Sequence, residues 1–82
     1  MSKFQAKIIK EYEKRGYYVL KLHKTNKNGI PDLQCMKDGV SVFIECKEKT
    51  DTLKPLQKFR IDELRKNGFK AFCLQDKKGV IY

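Results

Sequence analysis

An 82-residue chain with 19 Lys and Arg against 10 Asp and Glu, a formal charge of +9, is long enough for one small domain. That length excludes a dinucleotide-binding unit joined to a substrate domain, and any barrel enzyme, so an active site must use few residues or be shared between copies. No apolar run can span a bilayer and the first residues lack the apolar centre of a secretory leader, so a cytoplasmic protein without a membrane partner is expected.

The spacing of Phe4, Ile8, Ile9 and Tyr12 predicts a helix over residues 3–15, stopped by Gly16. Gln5 falls inside its apolar stripe and Glu11 at the rim. Residues 17–23 read as a strand with Tyr18, Leu20 and Leu22 on one face. A polar basic loop, Lys24-Thr25-Asn26-Lys27-Asn28-Gly29, follows. Residues 30–36 read as a second strand, Asp38-Gly39 as a hairpin turn and residues 40–48 as a third strand. Its alternation puts Val40, Val42, Ile44 and Cys46 on one face and Ser41, Phe43, Glu45 and Lys47 on the other.

A charged connection, 49–54, leads into a helix that Pro55 opens and Gly68 closes. Leu56, Ile61 and Leu64 form its buried stripe, Phe59 flanks it, and Gln57 lies between Leu64 and Ile61. Residues 69–74 read as a fourth strand and 80–82 as a short fifth. The helix between the third and fourth strands makes those two parallel. The expected fold is a single α/β domain over residues 1–82, a mixed sheet flanked by two helices. Cys35, Cys46 and Cys73 have no metal-ligand spacing and read as buried reduced thiols. His23 reads as a strand-end surface residue. The positive charge, spread along the whole chain, suits a polyanion, of which nucleic acid is the commonest.

The chemistry lies in Gly29-Ile30-Pro31-Asp32 and Ile44-Glu45-Cys46-Lys47. One tight turn joins the two strands, so Asp32 and Glu45 come side by side. Lys47 shares the face of Glu45 because the two differ by two positions. Two carboxylates and the Cys46 backbone carbonyl are hard oxygen ligands that suit Mg²⁺. Lys47 would orient a water or stabilise negative charge developing on a phosphate. The plainer alternative is a cross-strand ion pair on a wet sheet face. Pro31 and Gly29 beside Asp32, and Phe43 on the face of Glu45, weigh towards a site. So do Gln5 and Gln57, each inside an apolar stripe, which could hydrogen-bond a metal's waters, the carboxylates or Lys47.

At these residues the chain resembles the PD-(D/E)xK nuclease superfamily, with Pro31-Asp32 and Glu45-Cys46-Lys47 as its two signature elements. More narrowly it is similar to minimal stand-alone VRR-NUC domains of the kind found in phages and linked to Holliday junction resolvases. Gly29-Ile30-Pro31-Asp32-Leu33, Phe43-Ile44-Glu45-Cys46-Lys47, Leu53-Lys54-Pro55-Leu56-Gln57 and Leu64-Arg65-Lys66-Asn67-Gly68 carry that likeness. The resemblance implies a restriction-endonuclease-like αβββαβ core. It implies Asp32 and Glu45 as ligands of Mg²⁺ or Mn²⁺, Lys47 as catalytic lysine and Gln57 as a supporting residue. It implies a homodimer that hydrolyses phosphodiester bonds at four-way DNA junctions, with no small-molecule cofactor.

The chain departs from that pattern in two places. Many relatives carry a glutamate early in the first helix; here Gln5 or Glu11 must stand in for it. Lys54 replaces the usual Ser or Thr before the helix-opening proline, a poor cap that could contact phosphate instead. Lys24 and Lys27 before one metal strand, and Lys49 and Lys54 after the other, are positioned to grip phosphates without reading sequence. Tyr17, Tyr18, Phe69 and Tyr82 are candidates to line a dimer interface. Three alternatives stay open: a silent DNA-binding module, a nicking or fork nuclease without junction preference, and a basic subunit of a larger complex.

Overall fold

The computed structural model describes residues 2–82. Helix α1 (Lys3–Lys14) begins where Ser2 Oγ accepts the Gln5 N–H at 3.0 Å. It ends in a Schellman turn: Gly16 N–H donates to Glu13 O and Tyr17 N–H to Tyr12 O, at 3.0 and 3.1 Å. The Tyr17 ring then meets Tyr12 edge-on, with centroids 5.1 Å apart. Helix α2 (Pro55–Lys66) ends the same way, with Phe69 N–H donating to Leu64 O at 3.1 Å.

Five strands make one sheet: β1 (Tyr18–Lys21), β2 (Leu33–Lys37), β3 (Val40–Lys47), β4 (Lys70–Gln75) and β5 (Gly79–Val80). They lie in chain order, antiparallel except for the β3–β4 pair, which α2 bridges as a crossover. This is the mixed α/β architecture expected from the sequence. Among the described residues no helix is long and apolar enough to cross a membrane.

The two faces of the sheet are covered differently. Helix α1 packs against β1 and β3, where Ile8 meets Leu33, Cys35, Val42 and Ile44. Helix α2 packs against β4, where Ile61 meets Ala71 and Cys73, with Phe43, Leu53, Leu64 and Tyr82 around them. Strand β3 serves both: Val42 and Ile44 point towards α1, Phe43 towards α2. The even–odd pattern over residues 40–47 therefore holds.

In β1, Tyr18 and Leu20 share one face, as expected, and that face is the open one. Tyr17 and Val19 pack under α1, while Tyr18 is 68% exposed and Leu20 38%. Both faces of this segment are apolar, so alternation alone does not orient it. Helix α1 covers β1 and α2 sits at the other end of the sheet, which decides the matter. The strand also ends at Lys21, and β2 starts at Leu33 rather than at residue 30. Two of the aromatics that are candidates for an interface make contacts inside the chain. Tyr17 belongs to the α1 cluster, and the Tyr82 hydroxyl donates to Asp62 Oδ1 at 2.9 Å beneath the Arg65 guanidinium. Tyr18 and Phe69 remain exposed.

Leu56 corrects the expected stripe: it is 45% exposed, and Leu53 takes the place expected for it in the α2 cluster. Its side chain rests on the backbone of Gly29 instead. Gly29 has φ +81°, and a Cβ there would lie 2.8 Å from Leu56 Cγ. The three cysteines are free, Cys35 and Cys73 buried and Cys46 half-buried. Burial pushes their thiols up to about 11, 11 and 12 respectively.

Candidate active site

The Asp38-Gly39 turn sets the register of the β2–β3 hairpin, pairing Leu33 with Ile44. One step further out, Asp32 falls opposite Glu45. The Cys46 backbone N–H donates to Asp32 Oδ2 at 3.0 Å, which fixes that carboxylate against β3. The Leu22 N–H donates to Asp32 O at 2.8 Å and ties the same residue to the end of β1. Pro31, which has no N–H to satisfy, is buried just before it.

Glu45 and Lys47 lie on the α2 face and are 4% and 5% exposed. Lys47 Nζ stands 3.6 Å from Glu45 Oε2 and 3.6 Å from Asp51 Oδ2. Asp32 is only half-buried, so the cluster opens on its side. Burial, and then the neighbouring Asp32 charge and hydrogen bond, outweigh the pull of Lys47 and push the Glu45 carboxyl up to about 8. Two carboxylates this close, one of them out of water, hold either a proton or a cation between them.

The residues fit a hard divalent cation. Among the described residues no three His, Cys, Asp or Glu side chains converge. A cation here would therefore have two carboxylates, Asp32 and Glu45, and take its other ligands from the Cys46 carbonyl and from water. That is the pattern of Mg²⁺ rather than of zinc.

The other residues singled out from the sequence are placed as follows. Gln57 Oε1 accepts the Lys54 N–H at 2.9 Å, so it closes the start of its own helix. Gln57 thus supplies one half of a capping box, while a lysine side chain has no acceptor to supply the other. Helix α1 lies across the sheet from Glu45 and Lys47. Its Gln5 is half-buried, and Glu11 is exposed on an outer face shared with Lys3, Lys7, Lys10 and Lys14. Glu11 is thus not brought to the cluster.

Lys24, Lys27, Lys49 and Lys54 are all exposed. Lys24 and Lys27 line a polar hollow with His23, Thr25 and Asn28. Arg60 of α2 holds this loop by donating from Nε to Asn28 O at 2.8 Å. With Leu56 lying on Gly29, the basic loop is pinned to α2 from two positions.

Asp51 and Gln75 were not among the residues the sequence pointed to. Asp51 sits in a charged connection where one more acid carries no signal. Gln75 was legible in principle: it continues the alternation of Ala71 and Cys73, which puts a polar side chain on a buried face.

A model of the VRR-NUC domain family matches residues 2–77. A solved structure described as a VRR_NUC domain superposes with a TM-score of 0.74 at 29% sequence identity, covering 85% of this chain and 77% of that one. No curated protein matches the sequence.

Proposed function

The chain belongs to the VRR-NUC domain family, a nuclease fold of DNA-processing proteins, and from that premise we propose that it is a metal-dependent endodeoxyribonuclease acting on four-way DNA junctions as a homodimer. The observation that carries this reading is the meeting of Asp32, Glu45 and Lys47 at one end of the β2–β3 hairpin, with Lys47 Nζ 3.6 Å from Glu45 Oε2.

Asp32, Glu45 and the Cys46 carbonyl would hold Mg²⁺ or Mn²⁺, which when bound would supply Lewis acidity towards water and phosphate. The Cys46 N–H sets the Asp32 carboxylate before any ligand arrives, so little reorganisation is needed at the moment of reaction. Glu45, pushed up by burial, would have to be ionised to hold a cation, so binding would depend on pH. Lys47 brings a buried ammonium to the scissile phosphate, where low polarity strengthens its effect on developing charge. Gln57 supports the site through the start of α2. Lys24, Lys27, Lys49 and Lys54 grip flanking phosphates, giving affinity that falls steeply with salt and carries no base reading. Gln5, on the helix across the sheet, takes no part in this reading.

One such site cuts one strand. A junction needs two paired cuts, which two copies related by a two-fold axis deliver. Exposed Tyr18 and Leu20 on β1, and Phe69 before β4, are the apolar surface for that pairing.

The test is cleavage of an end-labelled four-way junction beside linear duplex and single strand, with Mg²⁺, Mn²⁺ or EDTA. The expected result is paired symmetric nicks on the junction alone, abolished by EDTA and by Asp32→Ala. Cutting of every substrate would keep the nuclease and reject the junction preference. Binding without cutting under either metal would make the chain a silent DNA-binding module. A sedimentation mass of one chain on junction DNA would remove the homodimer.

A further inference from the structure

Lys47 has an unusual position for a lysine. Its ammonium is almost wholly out of water and has two carboxylate neighbours at the same distance, Glu45 Oε2 and Asp51 Oδ2, each at 3.6 Å. A buried ammonium that loses its partners must leave the site or shed its proton. In the function proposed above, Glu45 would be given over to a cation or to its own proton, and in neither state is its charge free to hold Lys47. Asp51 is the carboxylate that remains.

Asp51 lies in a turn, yet its carboxylate is held on both oxygens. Oδ1 accepts the Thr52 N–H at 2.8 Å and Oδ2 faces Lys47. The Asp51 N–H donates to Glu48 O at 3.0 Å and closes the turn. Gln75 then fixes that turn from β4. Its side-chain amide donates to Glu48 O at 2.9 Å and to Asp51 O at 2.6 Å, so both amide hydrogens are spent on the two ends of one short segment. Gln75 is 5% exposed and sits directly beside Lys47 in the parallel β3–β4 register. The next residue continues the tie, with Asp76 N–H donating to Lys47 O at 2.9 Å. The Thr52 N–H, and then the Lys47 charge, hold the Asp51 carboxyl below the usual aspartate range, so it stays ionised as a partner.

We infer that Asp51, held in place by the buried amide of Gln75, is a positioning residue that keeps Lys47 aimed into the site once Glu45 is engaged elsewhere. The inference rests on the nuclease reading for its catalytic consequence and on geometry alone for its structural one. Neither residue touches the reacting atoms.

The experiment uses the whole chain with Asp51→Asn, Asp51→Glu and Gln75→Met. Asp51 is exposed, so its variants keep the fold. Asp51→Asn is expected to lower kcat about tenfold and leave KM within about twofold, because it misplaces a group that acts in the transition state. Asp51→Glu, which keeps the charge, recovers most of that loss. Gln75→Met lowers kcat similarly although the carboxylate is still present, and raises amide exchange at Asp51 and Thr52 about tenfold. In metal-free protein, the two Cε protons of Lys47 are expected to be resolved by NMR in the wild type and to merge in Asp51→Asn, as the side chain loses its fixed rotamer. An unchanged kcat in Asp51→Asn overturns the inference, and so do unchanged Lys47 signals. Should the wild-type chain cut no DNA, the nuclease reading fails by itself, and the Lys47 and exchange signals alone decide the positioning.

Discussion

The two faces of the sheet divide the work of this small domain. On the α1 side, Leu33, Cys35, Val42 and Ile44 close around Ile8 without a buried charge. On the α2 side, Glu45, Lys47 and Gln75 are buried beside Ile61, Ala71 and Cys73. Successive residues of β3 supply both. One face contributes stability, and the other uses some of it to keep an acid and an ammonium out of water. Within these 82 residues one sheet carries both tasks.

Four substitutions or conditions probe that division. The largest effect is expected from Asp32→Asn, which keeps the shape and an acceptor for the Cys46 N–H. Cleavage should fall about a thousandfold while the melting temperature holds or rises. A matching collapse of melting temperature would mean the α2 face is structural too. Next, Ile44→Ala on the α1 face should remove about 2–5 kcal/mol of stability, read by urea unfolding, while the molecules that stay folded cut at the wild-type rate. Loss of cutting in the folded fraction would show that the faces are not separable.

The third effect depends on pH. The folded Glu45 carboxyl titrates near 8 instead of its ordinary 4.5, so the folded metal-free state holds a proton that the unfolded chain releases earlier. That stabilisation is complete below the ordinary value and is lost as pH rises towards the folded one. Metal-free stability should therefore fall through this window by up to ~1.4 kcal/mol per pH unit, and Glu45→Gln should flatten the slope. Mg²⁺ should stabilise the fold most at the alkaline end, where it no longer competes with the proton. Thermal melts across the window, with and without Mg²⁺, check both signs. The smallest effect is expected from Gly29→Ala. A side chain at φ +81° costs about 1–2 kcal/mol, and the Cβ would also displace Leu56, loosening the basic loop from α2. Weaker DNA binding with a modest loss of melting temperature is the expected pair of results.

Sequence pattern reached the centre of the site because local geometry builds that centre. Asp32 and Glu45 meet through one hairpin of fixed register, and Lys47 follows Glu45 by a two-residue period. Pattern was silent where a third element had to choose. Tyr17–Val19 and Tyr18–Leu20 are equally apolar sets, and only the placement of α1 selects the first. Gln57 looks like a polar group seeking the site, yet its side chain accepts the Lys54 N–H at the start of its own helix. Asp51 is one acid in a run of charges, and its approach to Lys47 exists only because Gln75, 24 positions on, holds the turn.

The state of the three thiols has a practical consequence. At neutral pH, thiols pushed up to about 11 or 12 hold almost no thiolate, and Cys35 and Cys73 are closed to reagents by packing as well. Alkylation at those two positions can proceed only through molecules that have opened, one from under α1 and the other from under α2. The chain thus carries a native clock on each side of its sheet. Comparing the labelling rates of Cys35 and Cys73 would tell whether the two layers come apart together or one before the other.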